Sequence, residues 1–346
     1  MRKNFIIIVL IFTLFISGCD TNKNNDNSVG SITNDENGLV DNNDLENSKV
    51  ENYTKELSFM PIGDGNEYAV SVGEAKYLSN IVIPNKYNDC PVTIIAKDGF
   101  YECSNLEKIT FPSNLKRIED NAFYNCDSLR EVILPDTLEY IGKNAFYSCS
   151  AVEKIYVGKN TSIIKDYAFY YCKSIKTFTF NAKKCSDFGV SVRPFSFRAE
   201  NDFKIIIGKD VYRVPSWAFA YMESNGNYIN GMYKCVELYF EEGCIEVGEY
   251  AFASLKTLTK LTLPNTLKKV ERSAFLSMTQ LEELIIPKNI VELQEYAFNG
   301  CNNCTSIRYL GTKTEWESIY KYTNIFYLDR LPCNIVQCTN GEYELK

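Results

Sequence analysis

The sequence predicts a solenoid of short parallel strands and short helical turns, about nine coils of about 23 residues each. Three observations predict it. Phe100, Phe123, Phe146 and Phe169 are each 23 residues apart, and the same phase returns at Phe252, Phe275 and Phe298. Around each Phe the apolar positions repeat: Cys103, Cys126, Cys149 and Cys172 lie three residues on, and Leu106, Leu129, Val152 and Ile175 three further. Each unit then changes period. In Asn121–Ile141, Ala122, Phe123, Cys126 and Leu129 keep helix-like spacing, whereas Val132 and Leu134 alternate with Glu131 and Ile133, a strand pattern that Pro135 stops. One such unit cannot bury its own apolar face, but stacked copies can, with strands pairing in parallel about 4.8 Å apart.

The chain opens with Arg2 and Lys3 before an apolar run from Phe5 to Ser17. A helix of that length reaches ~20 Å, short of the ~30 Å of a bilayer core, so residues 1–18 are expected to form an export signal rather than a span. The run closes on Ile16-Ser17-Gly18-Cys19, which resembles the lipobox of bacterial lipoproteins. The resemblance implies that Cys19 is lipidated and that the protein is held at the outer face of the bacterial cell membrane, with more than one acyl chain for durable anchoring. Residues 19–52 follow as an expected disordered tether. From Asp20 to Asn52 there are ten Asn, eight acidic residues and two Lys, with no aromatic residue to pay for ordering the backbone.

Residues 53–98 read as an N-terminal cap that turns at Gly63-Asp64-Gly65 and leads into the first coil. Residues 99–307 read as the array. The fifty residues from Phe169 to Phe219 fit two stretched units, with Phe197 or Phe195 as the displaced aromatic, and the longer step from Phe219 to Phe252 holds an insertion over Glu223–Met232. Residues 308–346 read as a C-terminal cap. There Thr314 can cap a short helix carrying Trp316 and Ile319, and Asn340-Gly341 signals a hairpin. The unit A-F-x-x-C-x-x-L-x-x-I-x-F/L-P-x-x-L-x-x-I resembles the BspA-type leucine-rich repeat of bacterial surface proteins. The likeness covers about Cys90 to Ile307, from "DCPVTIIAKDGF" to the closing "IRYLGTKTEWESI". It implies an exported leucine-rich repeat solenoid, used in adhesion or protein binding, with no catalytic residue and no cofactor.

Composition excludes several function classes. With no His, neither a Ser-His-Asp nor a Cys-His pair can form, nor a His-containing metal shell, and the chain is expected not to be an enzyme. A net charge of −7 argues against nucleic acid as a partner. The leader carries +2 and the tether −6, which leaves −3 for residues 53–346. Cys103, Cys126, Cys149, Cys172 and Cys301 share one repeat slot and are read as small buried side chains. Cys301-Asn-Asn-Cys304 follows from repeat phase. Cys333 and Cys338 are the best disulfide candidates.

Outward strand positions form columns across coils. Lys108, Glu131, Lys154, Thr177, Lys204, Glu237, Lys260 and Glu283 alternate in sign wherever two charges are neighbours, which specifies coil register and cancels any single-sign field. The next column is Thr110, Ile133, Tyr156, Thr179, Ile206, Tyr239, Thr262 and Ile285, without charge. Two readings fit it. Tyr and Ile suit strands in general, or Ile133, Tyr156, Ile206 and Tyr239 form an amphipathic strip for a protein or glycan, joined by Tyr228 and Ile229 of the insertion. The expected function is therefore a lipid-anchored surface protein that binds a protein or glycan through its repeats. The alternative is a structural envelope component without a specific ligand.

Overall fold

The computed structural model describes residues 53–189, 194–220, 231–322 and 331–345. The segments expected to form an export signal and a tether (residues 1–52, with Cys19) and the insertion residues Tyr228 and Ile229 lie outside the described residues. What is described is a pile of coils with two ladders of parallel strands and one continuous core between them.

The longer ladder holds the strands predicted from the period-two pattern. Glu131–Ile133, Lys154–Val157, Thr177–Phe180, Phe203–Ile207 and Cys235–Phe240 pair in that order, all parallel. Lys260–Thr262, Glu283–Ile286 and Ser306–Tyr309 continue the same pattern. Register follows the repeat: Ile155 sits between Val132 and Phe178, and all three are fully buried. A second ladder, of two-residue strands, runs where the chain returns. Arg117–Ile118, Tyr140–Ile141 and Ile163–Ile164 form one stretch of it, and Arg213–Val214, Glu246–Val247, Lys269–Val270 and Glu292–Leu293 another.

The segment carrying Phe is not a helical turn, and this corrects the sequence reading. Its backbone donors alternate in destination. Ala122, Tyr124 and Cys126 N–H donate within the coil to Glu119, Asn121 and Phe123 carbonyls, closing tight turns. Asn121, Phe123 and Asn125 N–H donate instead to Lys143, Ala145 and Tyr147 of the next coil at 2.9, 2.7 and 2.8 Å. The alternation needs left-handed residues, here Asn121 (φ 54°) and Asn125 (φ 57°), and it repeats at Asn144 and Ser148. Every donor is thus used, half of them to tie one coil to its neighbour. A true helix would have spent them all internally.

The rings stack as one spine. Centroids from Phe100 through Phe123, Phe146 and Phe169 are 5.0, 5.0 and 5.3 Å apart with nearly parallel planes. Phe195 takes the next rung, 6.0 Å from Phe169 and 5.1 Å from Phe219, while Phe197 packs against Phe178 and Phe203. Phe252, Phe275 and Phe298 complete it at 5.2, 5.5 and 5.3 Å. The shared cysteine slot lies beside the spine. Cys126, Cys149 and Cys172 thiols donate to the Phe100, Phe123 and Phe146 carbonyls of the preceding coil at 3.1, 3.2 and 3.5 Å, and all three are fully buried.

Both ends are closed. Ser58–Ile62 and Glu67–Ser71 form an antiparallel hairpin whose second strand pairs in parallel with Cys90–Ile95. At the other end the helix Lys313–Tyr322 is capped by Thr312, not Thr314. The Thr312 N–H and hydroxyl both donate to the Glu315 carboxylate, and the Glu315 N–H donates back to the Thr312 hydroxyl at 3.3 Å, a capping box. Trp316 and Ile319 are buried beneath it. Ile335–Cys338 and Gly341–Glu344 then pair antiparallel as a hairpin on the last coil.

The Cys333–Cys338 bridge is not formed, and both thiols are free. Cys333 is buried and its thiol donates to the Ile335 carbonyl, while Cys338 ends the strand five residues on. Cys333 belongs to the core, Cys338 packs against it, and each thiol donates to a backbone carbonyl, of Ile335 and Val336 respectively, instead of bridging.

Candidate ligand-binding faces

On the strand face, charges alternate in sign between coils in register, and among the described residues one pair of the predicted column and two of the column before it close as ion pairs. Lys260 and Glu283 meet at 2.7 Å, Lys176 and Glu153 at 2.8 Å, and Arg130 and Glu107 at 3.4 Å. Exposed pairs of this kind contribute about 0.2–1 kcal/mol each, so they set register more than stability. On the return ladder Arg213 is the hub, joining Asp187, Glu246 and Glu271. Burial pushes the Glu271 carboxyl up, but its hydrogen bond with Glu246 and the Arg213 charge hold it at about 2.

The uncharged column runs between these charges. Ile133 is adjacent to Tyr156, and Ile206 to Tyr239, in strand register. Ile133 is 42% and Tyr239 53% exposed, whereas Tyr156 and Ile206 are half-buried. The Tyr156 hydroxyl accepts from the Asn181 amide at 3.0 Å and lies 3.4 Å from Asp136, so this ring is tied into the sheet edge. Burial first, then Asp136, moves its phenol up despite the Asn181 bond. The column ends at Ile285, which is buried rather than outward-facing.

A second face lies on the turn side and was missed in the sequence, although its signal is plain: the dipeptide Phe-Tyr recurs at period 23. Tyr101, Tyr124, Tyr147 and Tyr170 stack ring on ring at 5.1, 4.7 and 5.0 Å. Tyr171 continues the line at 6.1 Å, and the Arg198 guanidinium lies over Tyr170 and Tyr171 at 5.6 and 5.7 Å. Tyr101 and Tyr171 are exposed and the others half-buried. Partial burial first, then the Glu102 carboxylate, raises the Tyr101 phenol.

Two repeat-family matches, over residues 93–226 and 224–330, follow the BspA type leucine rich repeat region, in six copies. The chain belongs to the BspA-type leucine-rich repeat family. BspA-like proteins are bacterial cell-surface proteins, in general non-enzymatic scaffolds for protein interaction or adhesion. Among solved structures, the chain is similar to a leucine rich cell surface protein from Faecalibacterium prausnitzii (16% identity, TM-score 0.33, 77% of this chain and 96% of that one). It is similar to a leucine-rich repeat protein from Eubacterium ventriosum (14%, TM-score 0.37, 84% and 95%). It is also similar to the pneumococcal vaccine antigen PcpA (17%, TM-score 0.31, 84% and 98%). No curated protein matches the chain. Among the described residues no group of three or more His, Cys, Asp or Glu is placed to hold a metal ion, and no helix is long and apolar enough to cross a membrane.

Proposed function

We propose that this BspA-type protein is lipid-anchored through Cys19 at the outer face of the bacterial membrane and binds a protein or glycan ligand on its repeat array. One observation supports the binding part: a multi-coil surface whose charges alternate in sign from coil to coil, with uncharged aromatic and aliphatic side chains exposed between them. Such a surface offers contact area without a long-range field, which favours a specific contact over non-selective attraction of polyanions. The anchor rests on the lipobox resemblance and on the sequence of the tether. The proposal is tested in two arms. Cys19→Ala should move the protein from the membrane fraction to the soluble fraction, and retention in the membrane would defeat the anchor. Wild-type full chain should hold a ligand that Ile133→Ala with Tyr239→Ala, or substitution of the tyrosine stack, releases. Unchanged retention by both would defeat binding through these faces.

A further inference from the structure

The position after the spine Phe is Tyr in four consecutive coils and then Ser196, Ala220, Ala253, Leu276 and Asn299 in the remaining five. The coil closes with any of these, so the run of Tyr101, Tyr124, Tyr147 and Tyr170 is more than the fold requires. Among the described residues no hydrogen bond uses the hydroxyls of Tyr124, Tyr147 or Tyr170. Stacking spends the ring faces on one another and leaves edges and hydroxyls outward, a row of rigid donor-acceptors already ordered before any partner arrives. Asn121, Asn125, Asn144 and Ser148 border it, a Tyr-Asn-Ser surface of the kind that serves adaptable protein recognition.

The two ends of the stack differ. At the Tyr170 end the protein supplies its own cation, Arg198, over the rings. At the Tyr101 end the preceding coil supplies no side chain. Val72 N–H donates to the Gly99 carbonyl as Phe100 N–H does to Ala122, which puts Gly73 in the tyrosine slot. Gly73 has φ +54°, and a Cβ there would collide with the Glu56 carbonyl oxygen, so no side chain can stand on this rung. Tyr101 is 37% exposed, with the exposed carboxylates of Asp98 and Glu102 on either side of it in sequence.

We infer that the tyrosine stack is a docking surface for a protein partner, which lays an Arg or Lys side chain on the open face of Tyr101 beside Asp98 and Glu102 and runs along the hydroxyl row. A cation over a tyrosine face is attractive, and Arg198 shows that the stack accepts one. The carboxylates add charge complementarity at that end. A neutral glycan would leave both unused. This inference rests on the reading of the chain as a binding scaffold.

The test uses the purified full chain, a phage-displayed dodecapeptide library and a printed glycan panel. Variants are Tyr101→Ser with Tyr124→Ser, Asp98→Asn with Glu102→Gln, and Ile133→Ala with Tyr239→Ala. Peptides rich in Arg or Lys should be enriched on the wild type, and their binding should fall about tenfold on either of the first two variants. Ser at this slot is native in another coil, so thermal melts of the Tyr→Ser variant should match wild type, and the charge variant decides if they do not. Equal peptide binding by wild type and both stack variants overturns the inference, as does a glycan ligand lost on Tyr→Ser. If the strand variant alone loses binding, the scaffold reading stands and this inference falls. If neither library yields a ligand, both fall.

Discussion

Replacing Phe146 by Ala removes the middle of the spine. The ring is fully buried, with Phe123 stacked at 5.0 Å on one side and Phe169 at 5.3 Å on the other. Truncating a buried Phe costs about 3–5 kcal/mol, with each stacked pair adding ~0.5–1.5 kcal/mol beyond area. Loss of both pairs places Phe146→Ala at the upper part of that range. Among the described residues Phe298 has a single stacked neighbour in the spine, Phe275 at 5.3 Å, so Phe298→Ala should cost less by about one pair, ~0.5–1.5 kcal/mol. Urea unfolding of the full chain, followed by circular dichroism and by the fluorescence of Trp217 and Trp316, gives both values. In a solenoid whose contacts are between neighbours, the central variant should also separate the two fluorescence and dichroism transitions. A cost below about 1.5 kcal/mol for Phe146→Ala, or a larger cost for Phe298→Ala, would refute the reasoning.

Other consequences follow from the same structure. Cys126, through its hydrogen bond with Cys103 and burial, and Cys149, through burial, are held well above the usual thiol range, so native-state thiol labelling should leave both unmodified until urea unfolds the chain. Burial pushes Cys235, Cys244 and Cys301 up to about 12. Unfolded thiols release protons from ~8.5 upward while these do not, so the stability they contribute is complete below ~8.5 and is lost as pH rises toward 12, by up to ~1.4 kcal/mol per unit per thiol. Urea midpoints at pH 7, 9 and 10 check it, and Cys301→Ala should flatten the slope. Arg213→Met should cost about 1.5–3 kcal/mol, because Glu246 and Glu271 are left with Lys269 at 3.4 Å from each. That cost should shrink below pH ~4.3, where the unfolded carboxyls and the relieved pair protonate. Gly158→Ala should cost about 1–3 kcal/mol by thermal melt, since its Cβ would lie 2.5 Å from the Pro135 carbonyl oxygen of the coil before.

Much of the coil was legible in the sequence because the rungs are chemically identical. A ring at a fixed period has one way to stay buried, and Val132, Ile155 and Phe178 are buried while their strand neighbours Glu131, Lys154 and Thr177 are not, because a sheet face demands the alternation. The turn segment was misread as helical for a physical reason. Consecutive tight turns with a left-handed residue at Asn121 and Asn125 return apolar side chains at nearly the spacing of a helix. Asn tolerates that conformation and hinted at it, but Tyr167, Trp217 and Tyr250 adopt it too, where no propensity would announce it. The choice between Phe195 and Phe197 needed the register of neighbouring coils. The cap on the last helix moved to Thr312 because Glu315 lies three residues beyond it. The tyrosine stack is not legible from periodicity alone, because stacking of half-exposed rings depends on which turn position points outward.

The central claim is that one spine of rings runs unbroken from Phe100 to Phe298. X-ray diffraction from crystals of the full chain tests it most directly. The account predicts Phe123, Phe146 and Phe169 stacked in parallel with centroids 5.0 and 5.3 Å apart, and Phe195 rather than Phe197 on the next rung. Electron density placing those rings in separate interiors, or turned edge-on to one another, would contradict it.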